Sequence, residues 1–413
     1  MKAAFTALIL MSLMVAGGGG ADLPSAIVPG NLGVNIHFLA NKSQDLNMIQ
    51  VAGARFVRMD LAWNWVETTK GVYNFSGGDA LYQACAARGI RVLFILDYGN
   101  SLYGTDPTQA AWLQGFTNYA AAAATHYKGD NIIWEIYNEP NTAFWPTGSH
   151  AGQYMALVNQ VVPALRAADP SCTIVAPALS GFDYAFLTTC FQDGLLNLVD
   201  AVSVHPYGTA TPEAVVNSYT TVRNYITQYH PSGAVPVISS EWGYSQTGIT
   251  AQLQGDYLAR MFLVNLSQGI PFSNWYDWEN DGTDPTNSED NYGTVTATRV
   301  PKPAYHELQL LTQSLNGEQF TSRLTSNSTD WLLVFTSPSG QQTLAAWTTA
   351  KAHTITNSTW GNLNLTSTPI YVAQPQTAQL KIARRASVPH TAKRQPQSTV
   401  RPTPPAHRKP ASR

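Results

Sequence analysis

Ile132-Ile133-Trp134-Glu135-Ile136-Tyr137-Asn138-Glu139-Pro140-Asn141 begins as a strand and stops within a few residues. Ile, Trp and Tyr favour a pleated, buried setting. Pro140 has no N–H to continue a ladder, so the strand cannot run past Glu139. Asn138 and Glu139 therefore sit where a strand gives way to a loop. A carboxyl beside an amide in that place is suited to giving a proton to a leaving oxygen while the amide holds a neighbouring hydroxyl. Such chemistry needs a second carboxylate from another strand end. Val237-Ile238-Ser239-Ser240-Glu241-Trp242-Gly243 supplies one, again at the end of an apolar run.

Outward from these two stretches, short apolar runs alternate eight times with helix-like segments. The strands read as 33–38, 55–60, 91–96, 132–137, 173–176, 201–204, 235–239 and 272–276. Runs that are mostly apolar, rather than alternating, are those of strands covered on both faces. Helical character fills 43–52, 79–88, 107–128, 154–168, 212–229, 252–268 and 303–315, with a weaker segment at 184–196. Asp106 is placed to cap the third of these. The pattern predicts an α/β chain folded as a (β/α)8 TIM barrel. An open doubly wound sheet is the runner-up, but no Gly-rich phosphate loop follows the first strand.

After residue 316 the texture changes. Thr, Ser, Val and Trp recur in short alternating runs, and 331–336, 343–348 and 370–373 read as antiparallel strands. The expected organisation is a signal peptide over 1–21, the barrel over 22–316, a small C-terminal antiparallel β-domain over 317–373 and a basic disordered tail over 374–413. The leader reading rests on Lys2, an apolar run from Ala3 to Ala16 and small residues up to Ala21. It predicts a secreted protein, extracellular or periplasmic. No later stretch is apolar enough for an integral membrane segment.

The chain of 413 residues holds 11 Trp and 19 Tyr, but only 12% of its residues are charged. Aromatic surfaces with neutral hydrogen bonds suit uncharged polar ligands such as sugars; a Trp-rich core is the alternative. The net charge of −2 hides an asymmetry, because nine Lys and Arg and no acid fall in 381–413. The remaining body has 15 basic against 26 acidic residues, so it is not expected to bind nucleic acid over its general surface. Three cysteines, Cys85, Cys172 and Cys190, fit neither a zinc pattern nor a disulfide framework, though Cys172 and Cys190 can either bridge or stay thiols.

Polar and aromatic groups gather at the predicted strand ends. The first gives His37, the second Arg58 and Asp60 with Trp63 and Trp65 beyond, the third Asp97 and Asn100. The fourth gives Asn138 and Glu139, the sixth His205 and Tyr207, the seventh Glu241 and Trp242, the eighth Trp275, Asp277, Trp278 and Glu279. This set resembles the clan of (β/α)8 retaining glycoside hydrolases, which carry Asn-Glu-Pro at the fourth strand and Glu at the seventh. The resemblance covers 33–315. It implies Glu139 as acid/base and Glu241 as nucleophile. Its cellulase-like members add an Arg on strand two, matched by Arg58. They also add a His-x-Tyr after strand six, matched by His205-Pro206-Tyr207, and a Trp on strand eight, matched by Trp275. One departure is Asp97-Tyr98, where such members often place a His. That leans toward the xylosidase-like and exopolysaccharide-hydrolase-like families of the clan.

The roles follow from the chemistry. Arg58 can keep Glu241 ionised, and Tyr207 can orient it by a hydrogen bond. Glu139 must start protonated, which a nearby second carboxylate promotes. Asn138 would hold the sugar 2-hydroxyl, His205 would support the acid/base or touch substrate, and Trp275 would floor a sugar ring. His37 is a further substrate-binding candidate, while Glu135 reads as structural. Trp63, Trp65, Trp145, Trp278 and Tyr292 either line the cleft or pack the core. The acidic loop 280–293 is a lid, a cation site or simply solvated. The reading is a monomeric β-glycosidase cutting a β-linked poly- or oligosaccharide by double displacement, endo-acting, with no cofactor and no metal. Its alternative is a carbohydrate-binding barrel that has lost catalysis.

Overall fold

The computed structural model describes residues 23–325 and 327–374. The expected leader and the basic tail beyond Gln374 lie outside the described residues. Within them, eight parallel strands close into a barrel: β1 (Leu32–Asn35), β2 (Phe56–Asp60), β3 (Arg91–Leu96), β4 (Ile133–Ile136), β5 (Thr173–Ser180), β6 (Ala201–His205), β7 (Val237–Trp242) and β8 (Ser273–Trp275). β8 returns to β1, pairing Gly33 with Asn274. Around the barrel lie α1 (Ser43–Ala52), α2 (Trp63–Val66), α3 (Ser76–Ala86), α4 (Ala110–His126), α5 (Ala151–Ala168), α6 (Tyr184–Gln192), α7 (Val215–Tyr229), α8 (Ala251–Ser267) and α9 (Pro303–Ser314). The chain is therefore a TIM barrel, as the strand–helix alternation predicts.

The two-residue period of a strand decides what the barrel holds. Phe56, Leu93, Ile95, Ile133, Val175, Ala201, Ile238 and Phe272 form one buried apolar cluster that fills the interior. Their alternation partners, such as Val57, Phe94, Trp134 and Ile174, belong to the larger core between strands and helices. The same inward face continues upward from Phe56 to Arg58 and Asp60, from Ile95 to Asp97, and from Ile133 to Glu135. Packed apolar layers thus give way to charged groups at the C-terminal mouth, the end where TIM-barrel chemistry sits.

Several boundaries depart from the sequence expectation. β5 and β7 run further, to Ser180 and Trp242, so Glu241 lies inside its strand rather than beyond it. β1 stops at Asn35, which leaves His37 in the following loop. Asp106 does not cap α4; its carboxylate accepts from Thr108 and Gln109 in the turn before that helix. All three cysteines are buried free thiols.

The C-terminal part forms a four-stranded antiparallel sheet of β9 (Gln319–Arg323), β10 (Asp330–Thr336), β11 (Gln342–Thr348) and β14 (Ile370–Ala373), in the order β14-β11-β10-β9. A separate hairpin, β12 (His353–Asn357) with β13 (Gly361–Leu365), was not anticipated. Trp331 and Trp347 are cross-strand partners whose rings stack at 5.4 Å. Trp347 Nε1 donates to Glu213, itself gripped by Arg260 Nε and Nη2. Ser367 and Thr368 donate to Asp256 of α8 at 2.6 and 2.8 Å.

Candidate active site

Arg58 is the centre of the mouth. β2 presents it inward, and it is 2% exposed. Its Nε donates to Glu135 at 2.6 Å, its Nη1 to Glu241 at 2.6 Å and its Nη2 to Asn138 at 2.8 Å. Burial alone would lower the guanidinium's pKa, but Glu135 and Glu241 outweigh it and hold it above its ordinary value. One planar cation thus fixes groups from β4 and β7 in a common frame. Glu135, turned inward by strand alternation, is the second anion of this cluster, a structural role in keeping with its sequence reading.

Glu241 is held at both oxygens. Oε2 accepts from Arg58, and Oε1 accepts from the Tyr207 hydroxyl at 2.9 Å. Burial and the Glu241 charge push the Tyr207 phenol well above its usual range, so it stays a donor. The two contacts together leave the carboxylate little rotational freedom.

Glu139 follows β4 in an unusual backbone. Tyr137 and Glu139 both have positive φ, 65° and 46°, as does the neighbouring Ala178 on β5 at 53°. The Glu139 N–H donates to the Ala178 carbonyl at 3.0 Å, which ties the turn to β5. His205 Nδ1 lies 2.9 Å from Glu139 Oε1, and its Nε2 lies 3.4 Å from Arg58 Nη2. A guanidinium only donates, so Nε2 is the acceptor and the proton sits on Nδ1, aimed at Glu139. Burial raises the Glu139 carboxyl, but the hydrogen bond from His205 and the nearby Arg58 charge outweigh it and leave the group below its ordinary value. This corrects the expectation that a neighbouring carboxylate keeps Glu139 protonated. A carboxylate oxygen of Glu139, a ring nitrogen of His205 and a carboxylate oxygen of Glu241 all lie within 4.8 Å of one another.

These groups face a cavity of about 390 Å³. Its walls add Asp60, Tyr98, Phe144, Ser180, Tyr276, Glu289 and Tyr292, with His37 at the rim. Asn138 Nδ2 donates to the Tyr98 hydroxyl at 3.1 Å, which sets the amide's orientation. His37 Nδ1 bonds Asp281 at 2.8 Å and lies 3.7 Å from Asp277. Burial would lower its pKa, yet these acids raise it to about 9.

Trp275 is the residue the sequence misplaces. It is wholly buried and its Nε1 meets the Tyr292 carbonyl at 3.4 Å, so it cannot floor a sugar ring. Tyr276, the next residue, lines the cavity instead. Trp63, Trp145 and Trp278 are likewise packed in the core, whereas Trp65 is exposed and Tyr292 reaches the cavity. From the acidic loop, Glu289 enters the wall and accepts from the Tyr276 hydroxyl at 2.8 Å. Phe144, Tyr98 and Tyr276 carried no sequence signal beyond being aromatic residues near strand ends.

Comparison with known proteins agrees with this geometry. A model of the cellulase family (glycosyl hydrolase family 5) matches residues 26–281. The endo-1,4-beta-xylanase C of Phanerodontia chrysosporium is 26% identical over 125 residues, 28% of this chain and 31% of that protein. Among solved structures, a family 39 glycoside hydrolase from the gut symbiont Bacteroides cellulosilyticus WH2 superposes with a TM-score of 0.75. It is 23% identical and is aligned over 84% of this chain and 81% of its own. A monomeric beta-xylosidase from Caulobacter crescentus CB15 gives a TM-score of 0.62 at 16% identity, over 81% and 80% of the two chains. The chain belongs to the cellulase family, glycosyl hydrolase family 5, and is a retaining glycoside hydrolase that acts on O-glycosyl bonds with two glutamates.

Proposed function

We propose that Glu241 is the nucleophile and Glu139 the acid/base of a secreted, monomeric β-glycosidase that cleaves a β-linked poly- or oligosaccharide, acting endo. The observation that carries this reading is the meeting of the two carboxylates, from β4 and β7, within 4.8 Å beside His205. That spacing suits a double displacement, for which the carboxyl groups stand about 5–5.5 Å apart; an inverting pair would leave room for a water.

In the first step protonated Glu139 gives its proton to the glycosidic oxygen while Glu241 attacks the anomeric carbon. The C–O bond to the leaving group breaks as the C–O bond to Glu241 forms. Glu139, now ionised, then takes a proton from water; the hydroxide attacks the anomeric carbon and Glu241 leaves. Arg58 and Tyr207 keep the Glu241 carboxylate aimed before attack and hold it again on departure. Asn138, fixed by Arg58 and Tyr98, is placed to hold the 2-hydroxyl, a contact that strengthens in the transition state. Phe144 and Trp65, each 52% exposed, offer apolar faces for further sugar rings, which supports endo action.

The test compares the native enzyme with Glu241→Gln on a panel of β-linked polysaccharides and aryl β-glycosides, reading reducing-sugar release. Activity on one class, lost in the variant, is expected, with oligomeric products from endo cleavage. Activity that survives in Glu241→Gln would show the nucleophile to be another group, and single sugars as the only product would show exo action.

A further inference from the structure

Asp60 and Asp97 are acidic groups at the barrel mouth that the double displacement does not use. Asp60 ends β2 and Asp97 follows β3, on the inward face of adjacent strands whose register pairs Arg58 with Leu93 and Asp60 with Ile95. Asp97 is wholly buried, and neither of its oxygens meets an N–H or O–H donor among the described residues. The carboxyl of Asp60 is the neighbouring group that it is placed to bond. Two carboxylates have no proton to share, so that bond exists only when one of the pair is an acid. Asp60 lines the reaction cavity beside Arg58 and Tyr98. Apart from Asp97, no side chain or backbone donor among the described residues reaches it.

We propose that Asp60 is a further substrate-binding residue of this cavity, accepting from a hydroxyl of the sugar at the reaction centre, and that Asp97, carrying the proton, is its positioning residue. The inference rests on the glycosidase reading above. The proton belongs on Asp97 for two reasons. Asp97 is sealed from water, and burial together with the Asp60 charge pushes its carboxyl well above the usual range. Burial raises the Asp60 carboxyl as well, but less than that of Asp97, because Arg58, the Asp97 bond and His37 favour its ionised form. The Asp97 O–H then occupies one Asp60 oxygen and leaves the other turned to substrate. A sugar hydroxyl can be a donor to that oxygen, whereas an uncharged amide at position 60 would offer a weaker acceptor.

The experiment has two independent arms. In the first, infrared spectra of the native enzyme and Asp97→Asn are compared at neutral pH without substrate. A carboxylic-acid C=O band present in the native protein and lost in the variant is expected; absence of that difference overturns the shared proton. In the second, kinetics are measured on a glycoside that the native enzyme cleaves and Glu241→Gln does not. Loss of a hydrogen bond to a charged group corresponds to roughly a 10- to 100-fold fall in kcat/KM. Asp60→Ala is expected to show it, and unchanged kcat/KM there would sink the substrate contact. Asp97→Leu should fall similarly, and Asp97→Asn, whose amide can donate to Asp60 as the acid does, should regain most of that loss. An Asn variant as poor as Leu would count against the proton on Asp97. A native enzyme inactive on every glycan would overturn the glycosidase reading and Asp60's role with it, while the infrared difference would still report the acid pair.

Discussion

Replacing His205 should move the pH range in which this enzyme works. His205 Nδ1 donates to Glu139 at 2.9 Å inside a site where the imidazole is wholly buried. The bond stabilises the ionised carboxyl and holds it below its ordinary value. In the proposed double displacement Glu139 must be protonated for the first step, so the native enzyme should be most active toward the acid side and lose kcat/KM as the pH rises. A hydrogen bond to a charged group contributes about 1.5–3 kcal/mol. Removing the bond therefore raises the Glu139 pKa. His205→Phe keeps a planar ring of similar size and deletes the donor. The alkaline limb of kcat/KM should therefore shift to higher pH. The substrate must have a poor leaving group, such as an oligosaccharide, because a nitrophenolate departs with little help from an acid and would hide the limb. An alkaline limb that stays in place, or moves to lower pH, would refute the claim that His205 sets the state of Glu139.

Other substitutions separate support from chemistry. Tyr207→Phe removes one of the two donors on Glu241 and should lower kcat/KM by about tenfold or more, with the melting temperature nearly unchanged. Arg58→Met leaves Glu135 and Glu241 buried without their cation. Breaking a buried pair in this way costs about 3–5 kcal/mol, to be read by denaturant unfolding as well as by lost activity. Gly243→Ala would place a Cβ 1.8 Å from the Tyr276 carbonyl oxygen. Either the variant folds poorly or Tyr276 is displaced from the cavity wall, and calorimetry with substrate affinity would tell which.

The sequence was most informative where one residue type could fill one place. Alternating apolar runs and helical segments led directly to the barrel, and Glu139 and Glu241 lie at its mouth on β4 and β7. The contacts of Arg58 and Tyr207 with Glu241 were also readable, because both carriers sit at strand ends of the same barrel mouth. What was not readable depends on the third dimension. Trp275 was assigned to the cavity, but β8 holds only three residues and its register against β7 shifts between Ser239 and Trp242. Phe272 fills the barrel interior, so the two-residue period turns Tyr276 toward the cavity and Trp275 into the outer core. The protonation of Glu139 could not be read either, since it depends on a histidine 66 positions away. The β12–β13 hairpin escaped because Thr and Asn fill its outward positions, leaving Ile355, Leu363 and Leu365 as a thin apolar signal.

The left-handed backbone at Glu139 has a bearing on how such an enzyme could be improved. A side-chain-bearing residue held in that region costs about 1–3 kcal/mol relative to a relaxed conformation, and glycine adopts it freely. Glu139→Gly should therefore raise the melting temperature, or at least leave it unlowered, while ending turnover. Selection for heat resistance alone would then favour discarding the proposed catalytic acid. A directed-evolution campaign on this scaffold must screen turnover in every round, and it should look for added robustness in the distant β-sheet and helices rather than at the end of β4.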